Sequence, residues 1–194
     1  MFKIFIPIIV ALLTTGCVST SIEVKKPQSQ IINDKSKSYI IFSRSSSFFG
    51  GGIPNDIVEF SYENKSLDFV GTLQIGERVI HEVAPGEHYF YIAGGENDDY
   101  LQVSTKKNCV YYVGTYTGMG ILIGRTYFET FSPLTRSIID DLEDSKLIKP
   151  SEYAITRYNK STDDYKSEII EDYVEWKAYD KRNRVYINEC IPIN

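Results

Sequence analysis

A mainly β fold, an antiparallel sandwich followed by a C-terminal helical extension, is what the 194-residue sequence predicts, and three observations carry it. From Ser38 onward, short strand-like runs recur between turn residues at the spacing of an antiparallel sandwich. Fifteen Tyr and ten Phe against a single Trp suit pleated, half-buried surfaces. After Phe131 the apolar period changes from two to about 3.6, which marks the passage from sheet to helix. The length and the 42% apolar content suffice for one ordinary core and not for a multidomain enzyme.

The first element is an address. Met1 to Lys3 make a short basic start and Ile4 to Leu13 an apolar run, shorter than the roughly twenty residues that span a bilayer. Thr14-Thr15-Gly16-Cys17 resembles a bacterial lipobox, with Thr14 where that pattern prefers Leu. Residues 1–16 are then a signal peptide, and Cys17 becomes a lipidated first residue. Each buried methylene of the lipid contributes about 0.8 kcal/mol, so a triacylated terminus is a lasting anchor. Val18 stands where an inner-membrane retention signal has Asp, which favours the outer membrane and its periplasmic face. Residues 17–37 are polar and read as a lipidated tether.

The sandwich is expected over residues 38–131, in eight strands. Ser38 to Arg44 is the first, followed by a Ser/Gly loop through Phe48 and Phe49. Asp56 to Tyr62 and Leu67 to Leu73 flank a polar turn at Glu63-Asn64-Lys65. Arg78 to Val83 and His88 to Ile92 flank Ala84-Pro85-Gly86-Glu87, where Pro presets φ and Gly accepts a positive one. Tyr100 to Ser104, Cys109 to Tyr116 and Ile121 to Phe131 complete the set, the last two joined at Gly118-Met119-Gly120.

Residues 132–194 form the helical extension, packed on the sandwich. Ser132 can cap a helix with Pro133 at its first position and Leu134, Ile138 and Leu142 on one face. A second helix is expected from Ser161 or Thr162, with Tyr165, Ile169, Tyr173 and Trp176 as its apolar stripe, backed by Ile170 and Val174.

Tyr39 to Arg44, Gly71-Thr72-Leu73, Val83 to His88, Val110 to Val113 and Gly118 to Arg125 occur in the order seen in a family of bacterial lipoproteins. Over residues 38–131 the chain resembles that family, which carries domain of unknown function twenty-eight forty-six. The resemblance implies a compact sandwich akin to transthyretin-like or carboxypeptidase-regulatory-like modules, and it brings no catalytic residues. Two departures stand out: Asn108-Cys109 where the family has Gly before its Tyr-Tyr strand, and the helical tail.

Little in the sequence points to catalysis. The only histidines, His81 and His88, flank a tight turn and could face each other, but no Cys or carboxylate set at metal-ligand spacing joins them, so neither a metal nor another cofactor is expected. Ser45 to Ser47 and Gly50 to Gly52 lie in neither a nucleophile elbow nor a phosphate loop. The acid pairs Asp98-Asp99, Asp140-Asp141, Asp163-Asp164 and Glu171-Asp172 cannot flank one bond, because adjacent side chains diverge on strand and helix alike. A net charge of -5 and a pI near 5.1 argue against nucleic-acid binding.

The expected function is therefore a non-catalytic envelope lipoprotein whose partners are the membrane, through its lipid, and other envelope proteins. A peptidoglycan or glycan module is the alternative, with Tyr89, Tyr91, Tyr111, Tyr112 and Tyr116 as stacking candidates, as is an accessory lipoprotein of a secretion or assembly machine. The glycine-hinged stretch with Met119, Ile121, Leu122 and Ile123 is the candidate partner contact, although Ile121 and Ile123 more simply face the core. With Cys17 consumed by lipid, Cys109 and Cys190 are left as an even pair in an oxidising compartment, and a disulfide between them is expected.

Overall fold

The computed structural model describes residues 20–44, 53–121, 124–160, 163–179, 186–187 and 189–193. They form two packed sheets with helices on both outer faces, so the expected β-sandwich with a helical extension is what the chain adopts. All eight predicted strands are present: β2 (Ser38–Arg44), β3 (Asn55–Ser61), β4 (Ser66–Leu73), β5 (Glu77–Val83), β6 (Gly86–Gly94), β7 (Asn97–Thr105), β8 (Cys109–Met119) and β9 (Gly124–Thr130). Around them lie β1 (Ser21–Glu23), β10 (Lys146–Pro150), β11 (Tyr186–Ile187) and β12 (Ile191–Pro192). The helices are α1 (Arg136–Glu143), α2 (Glu152–Asn159) and α3 (Asp163–Tyr179).

One sheet runs β1-β10-β5-β2-β8-β12, with β9 also on β8; the other runs β11-β7-β6-β3-β4. Most pairings are antiparallel, while β2–β8, β5–β10 and β7–β11 are parallel. Strand β2 sits at the centre of its sheet and is buried along its whole length. Its alternation explains why it reads as a continuous apolar run. Ile40 and Phe42 enter the core between the sheets, while Tyr39 and Ile41 enter a second core on the outer face.

That outer core is closed by Ile139 and Leu142 of α1 together with Ile32 and Ile193. The outer face of the other sheet is closed by Ala154 of α2 and by Ile169 and Tyr173 of α3. Tyr173 is fully buried, in ring contact with Phe60, Tyr62, Tyr89, Tyr100 and Trp176 at centroid distances of 5.1 to 5.6 Å. The predicted stripe thus docks through Ile169, Tyr173 and the half-buried Trp176, whereas Val174 faces solvent at 55% exposure.

Three expectations need correction. Residues 17–37 are not a tether throughout: β1 pairs antiparallel with β10, and Ile32 is buried against α1's core. The cause is the exposed edge that β10 would otherwise present, which β1 covers. The tail is not helical throughout either, since β10 joins one sheet and β11 and β12 join both. The first tail helix begins later than Ser132. Thr135 is its cap, accepting from the Ile138 amide, while the Ser132 hydroxyl donates to Glu189 at 3.1 Å and the Ser132–Pro133 bond is cis. Ser161 and Thr162, the expected start of α3, and the side chain of Tyr165 lie outside the described residues, as does the Ser/Gly loop at 45–52.

Candidate functional site

The core between the sheets ends, at one edge, in a group of titratable side chains. Alternation places them: Ile57, Val79 and Phe90 point inward, so Glu59 on β3 and His81 on β5, each two residues farther along, and His88 on β6, two residues before Phe90, point inward as well. The turn at Ala84-Pro85 carries the chain from one sheet to the other, which brings the two histidines together as expected. They do not meet directly. His81 Nε2 lies 2.6 Å from Glu59 Oε2, and His88 Nδ1 lies 2.6 Å from Glu59 Oε1. The other ring nitrogen of His88 donates to the Ala84 carbonyl at 2.7 Å. All three side chains are largely buried, at 13–21% exposure. The Phe90 ring lies edge-on to His81 at 5.9 Å.

The electrostatics follow from this geometry. Burial alone would raise the Glu59 carboxyl, but the hydrogen bonds and charges of His81 and His88 outweigh it and hold it at about 2. For His88 burial works downward, and its bonds to Glu59 and Ala84, with the charges of Glu59 and Glu87, lift it above its ordinary value of 6.5. Both of its nitrogens therefore carry protons in this arrangement.

Sequence reasoning found the histidines and missed the carboxylate that joins them, because it looked for ligands near in sequence. The available signal was Glu59 itself, a charge set between the apolar Val58 and Phe60 of β3, at an inward register position. Asp68 lies directly across from it on β4. Ligand atoms of Glu59, Asp68 and His81 all lie within 4.8 Å of one another.

The other predicted site residues fall elsewhere. Cys109 and Cys190 form the expected disulfide, which ties the tail to the start of β8. Cys17, Leu122 and Ile123 lie outside the described residues. Met119 and Ile121 are 77% and 82% exposed, so Ile121 does not face the core. The reason is that β8 ends at Met119, leaving Ile121 outside the strand. The backbone that the glycines admit is the chain's own: a Cβ on Gly95, whose φ is +86°, would meet the Gly124 carbonyl oxygen at 2.0 Å. The five tyrosines considered for glycan stacking do not share a surface. Tyr111 is in the inter-sheet core, Tyr112 under α1 and Tyr89 and Tyr91 under α3, leaving Tyr116 stacked on Tyr127 at 5.2 Å. Among the described residues no helix is long and apolar enough to cross a membrane. No protein-family model matches the chain, and no curated protein matches it either.

Proposed function

We propose that the chain is a non-catalytic lipoprotein of a bacterial outer membrane, anchored through Cys17, whose sandwich is a periplasm-facing interaction or structural module. The observation that carries this reading is the Cys109–Cys190 disulfide. Disulfides persist in oxidising compartments, and this one uses both cysteines other than the lipobox residue. The N-terminal signal and the resemblance to lipoproteins point the same way.

Pairing of Ser21 in β1 adds a geometric consequence. Four residues at about 3.5 Å each give a reach of about 14 Å from Cys17 to the sheet. The anchor thus holds the β1 edge close to the lipid surface, and the opposite β8–β9 end, with Met119 and Ile121 exposed, faces away toward envelope proteins. Metabolic labelling with a palmitate analogue tests the anchor: the wild-type chain takes up label and Cys17→Ser does not. Equal labelling of the two would remove the lipoprotein reading.

A further inference from the structure

The pairing of β3 with β4 sets Glu59 and Asp68 directly opposite each other on the inward face. Like charges at such a position repel and destabilise a sheet unless something positive lies between them. From the facing sheet, His81 Nε2 is aimed at this pair and touches Glu59 Oε2 at 2.6 Å. We propose that Glu59, Asp68 and His81 bind a divalent first-row transition cation, of the zinc class, at the open edge of the inter-sheet space.

Three features of the geometry support the assignment. The first is reach. Zinc bonds of about 2.0–2.2 Å to nitrogen and oxygen place neighbouring tetrahedral ligand atoms about 3.4 Å apart. The three ligand atoms lie within 4.8 Å of one another, and the His81–Glu59 contact has only to open by less than about 1 Å. Asp68 is exposed near the start of β4 and makes no side-chain hydrogen bond or ion pair among the described residues, so a rotamer change brings it in.

The second is support behind the ligands. His88 is not itself a ligand, because Nδ1 is engaged by Glu59 and Nε2 by the Ala84 carbonyl. It holds the far oxygen of Glu59, which leaves Oε2 facing His81. The Phe90 ring packs edge-on against His81 at 5.9 Å. Such outer contacts are what orient the ligands of a metal site. The third is donor chemistry. One imidazole and two carboxylates suit zinc and its neighbours, whereas calcium takes six to eight oxygens and gains nothing from imidazole. Solvent at the exposed Asp68 side completes the coordination.

The site is independent of the anchor, so its test is separate from labelling at Cys17. The full chain, stripped with a chelator, is titrated with Zn2+ alone and, in parallel, with Ca2+ by isothermal calorimetry. One Zn2+ per chain and no calcium binding are expected. Asp68→Asn, at a solvent-exposed position, lowers the Zn2+ affinity at least tenfold, and His81→Gln abolishes stoichiometric binding. Circular dichroism and an intact Cys109–Cys190 disulfide verify that each variant is folded. Absence of Zn2+ binding by the wild-type chain, or binding unchanged in both folded variants, overturns the proposal.

Discussion

At one end of the space between the sheets Arg44 is wholly buried, donating to the carbonyls of Ile53 and Leu73 and to the Thr117 hydroxyl, with Asn55, Thr115 and Thr126 bonded around it. At the other end Glu59 is held between His81 and His88, within reach of water and of Asp68. Both ends close the same apolar core with polar groups. The Arg44 end uses a cation that keeps its proton at any ordinary pH and sets it among neutral acceptors. The His end uses groups that titrate. One end is consequently fixed, and the other responds to protons and cations.

The largest effect expected at the responsive end comes from its staple. Cys109 lies in register with Ser38, which in turn pairs with Val83, two residues beyond His81. Replacing Cys109 and Cys190 together by Ala releases a loop with a sequence separation of 81. The chain-entropy model puts the cost at about 4–5 kcal/mol, read as a drop in the urea midpoint. An unchanged midpoint would show that the tail is held by packing alone.

The fixed end is probed by Arg44→Leu, which strands buried carbonyls and a hydroxyl and costs about 3 kcal/mol. That loss should be the same across the neutral and mildly acid range. A loss that varied with pH would erase the contrast between the two ends.

Glu59→Gln sharpens the contrast from the other side, measured on chelator-treated protein. Glu59 is depressed from its ordinary 4.5 to about 2, so its contribution is fully present above pH 4.5 and fades as pH falls toward 2. His88 is raised, so its contribution is present below pH 6.5 and fades as pH rises through its higher native value. The groups facing the pair are His81, Asp68 and Glu87. The wild type should exceed Glu59→Gln by about 1–3 kcal/mol between these limits, with the gap closing on the acid side and narrowing on the alkaline side. Urea midpoints from about pH 3 to pH 9 read it directly, and a constant gap would sink the titration account.

The smallest stability effect belongs to the turn that projects past the fixed end. Met119→Ser with Ile121→Ser removes exposed apolar surface and should shift the urea midpoint by less than about 0.5 kcal/mol. The same double variant should recover fewer proteins from crosslinked envelopes, and equal recovery would take the turn out of the interaction surface.

The eight sandwich strands were legible because each carries its own alternation and its own turn. Gly86 with φ +149° and Asn64 bonding the Ser66 amide at 3.1 Å are local chemistry that the sequence displays. The strands that were missed have no such local signature. Ser21 to Glu23 is too short to show a period, and it is a strand because β10 offers it an edge, whereas Tyr186 to Ile187 lies in a stretch from Arg184 to Ile191 that is β-prone in sequence, and only its partner β7 is not legible there. The same holds for the site: His81 and His88 announce themselves by rarity, whereas Glu59 and Asp68 become neighbours of His81 only through sheet pairing and sheet stacking.

The strand order has a further meaning for the timing of folding. In the β2 sheet the path β1-β10-β5-β2-β8-β12 joins only strands that are not consecutive in the chain, with β8–β9 as its one hairpin, whereas the other sheet is built on the hairpins β3–β4 and β6–β7. Pairings between distant segments carry loop-closure entropy that hairpins avoid, so the hairpin sheet forms early and the β2 sheet late. Ser21 waits for Pro150, and Cys109 waits for Cys190 near the end of the chain. A chain emerging N-terminus first must therefore leave the outer edge of β5 unpaired until Lys146 to Pro150 arrive, and the start of β8, at Cys109 and Val110, until Ile191 and Pro192 do. That interval is when it is most exposed to aggregation and to wrong partners.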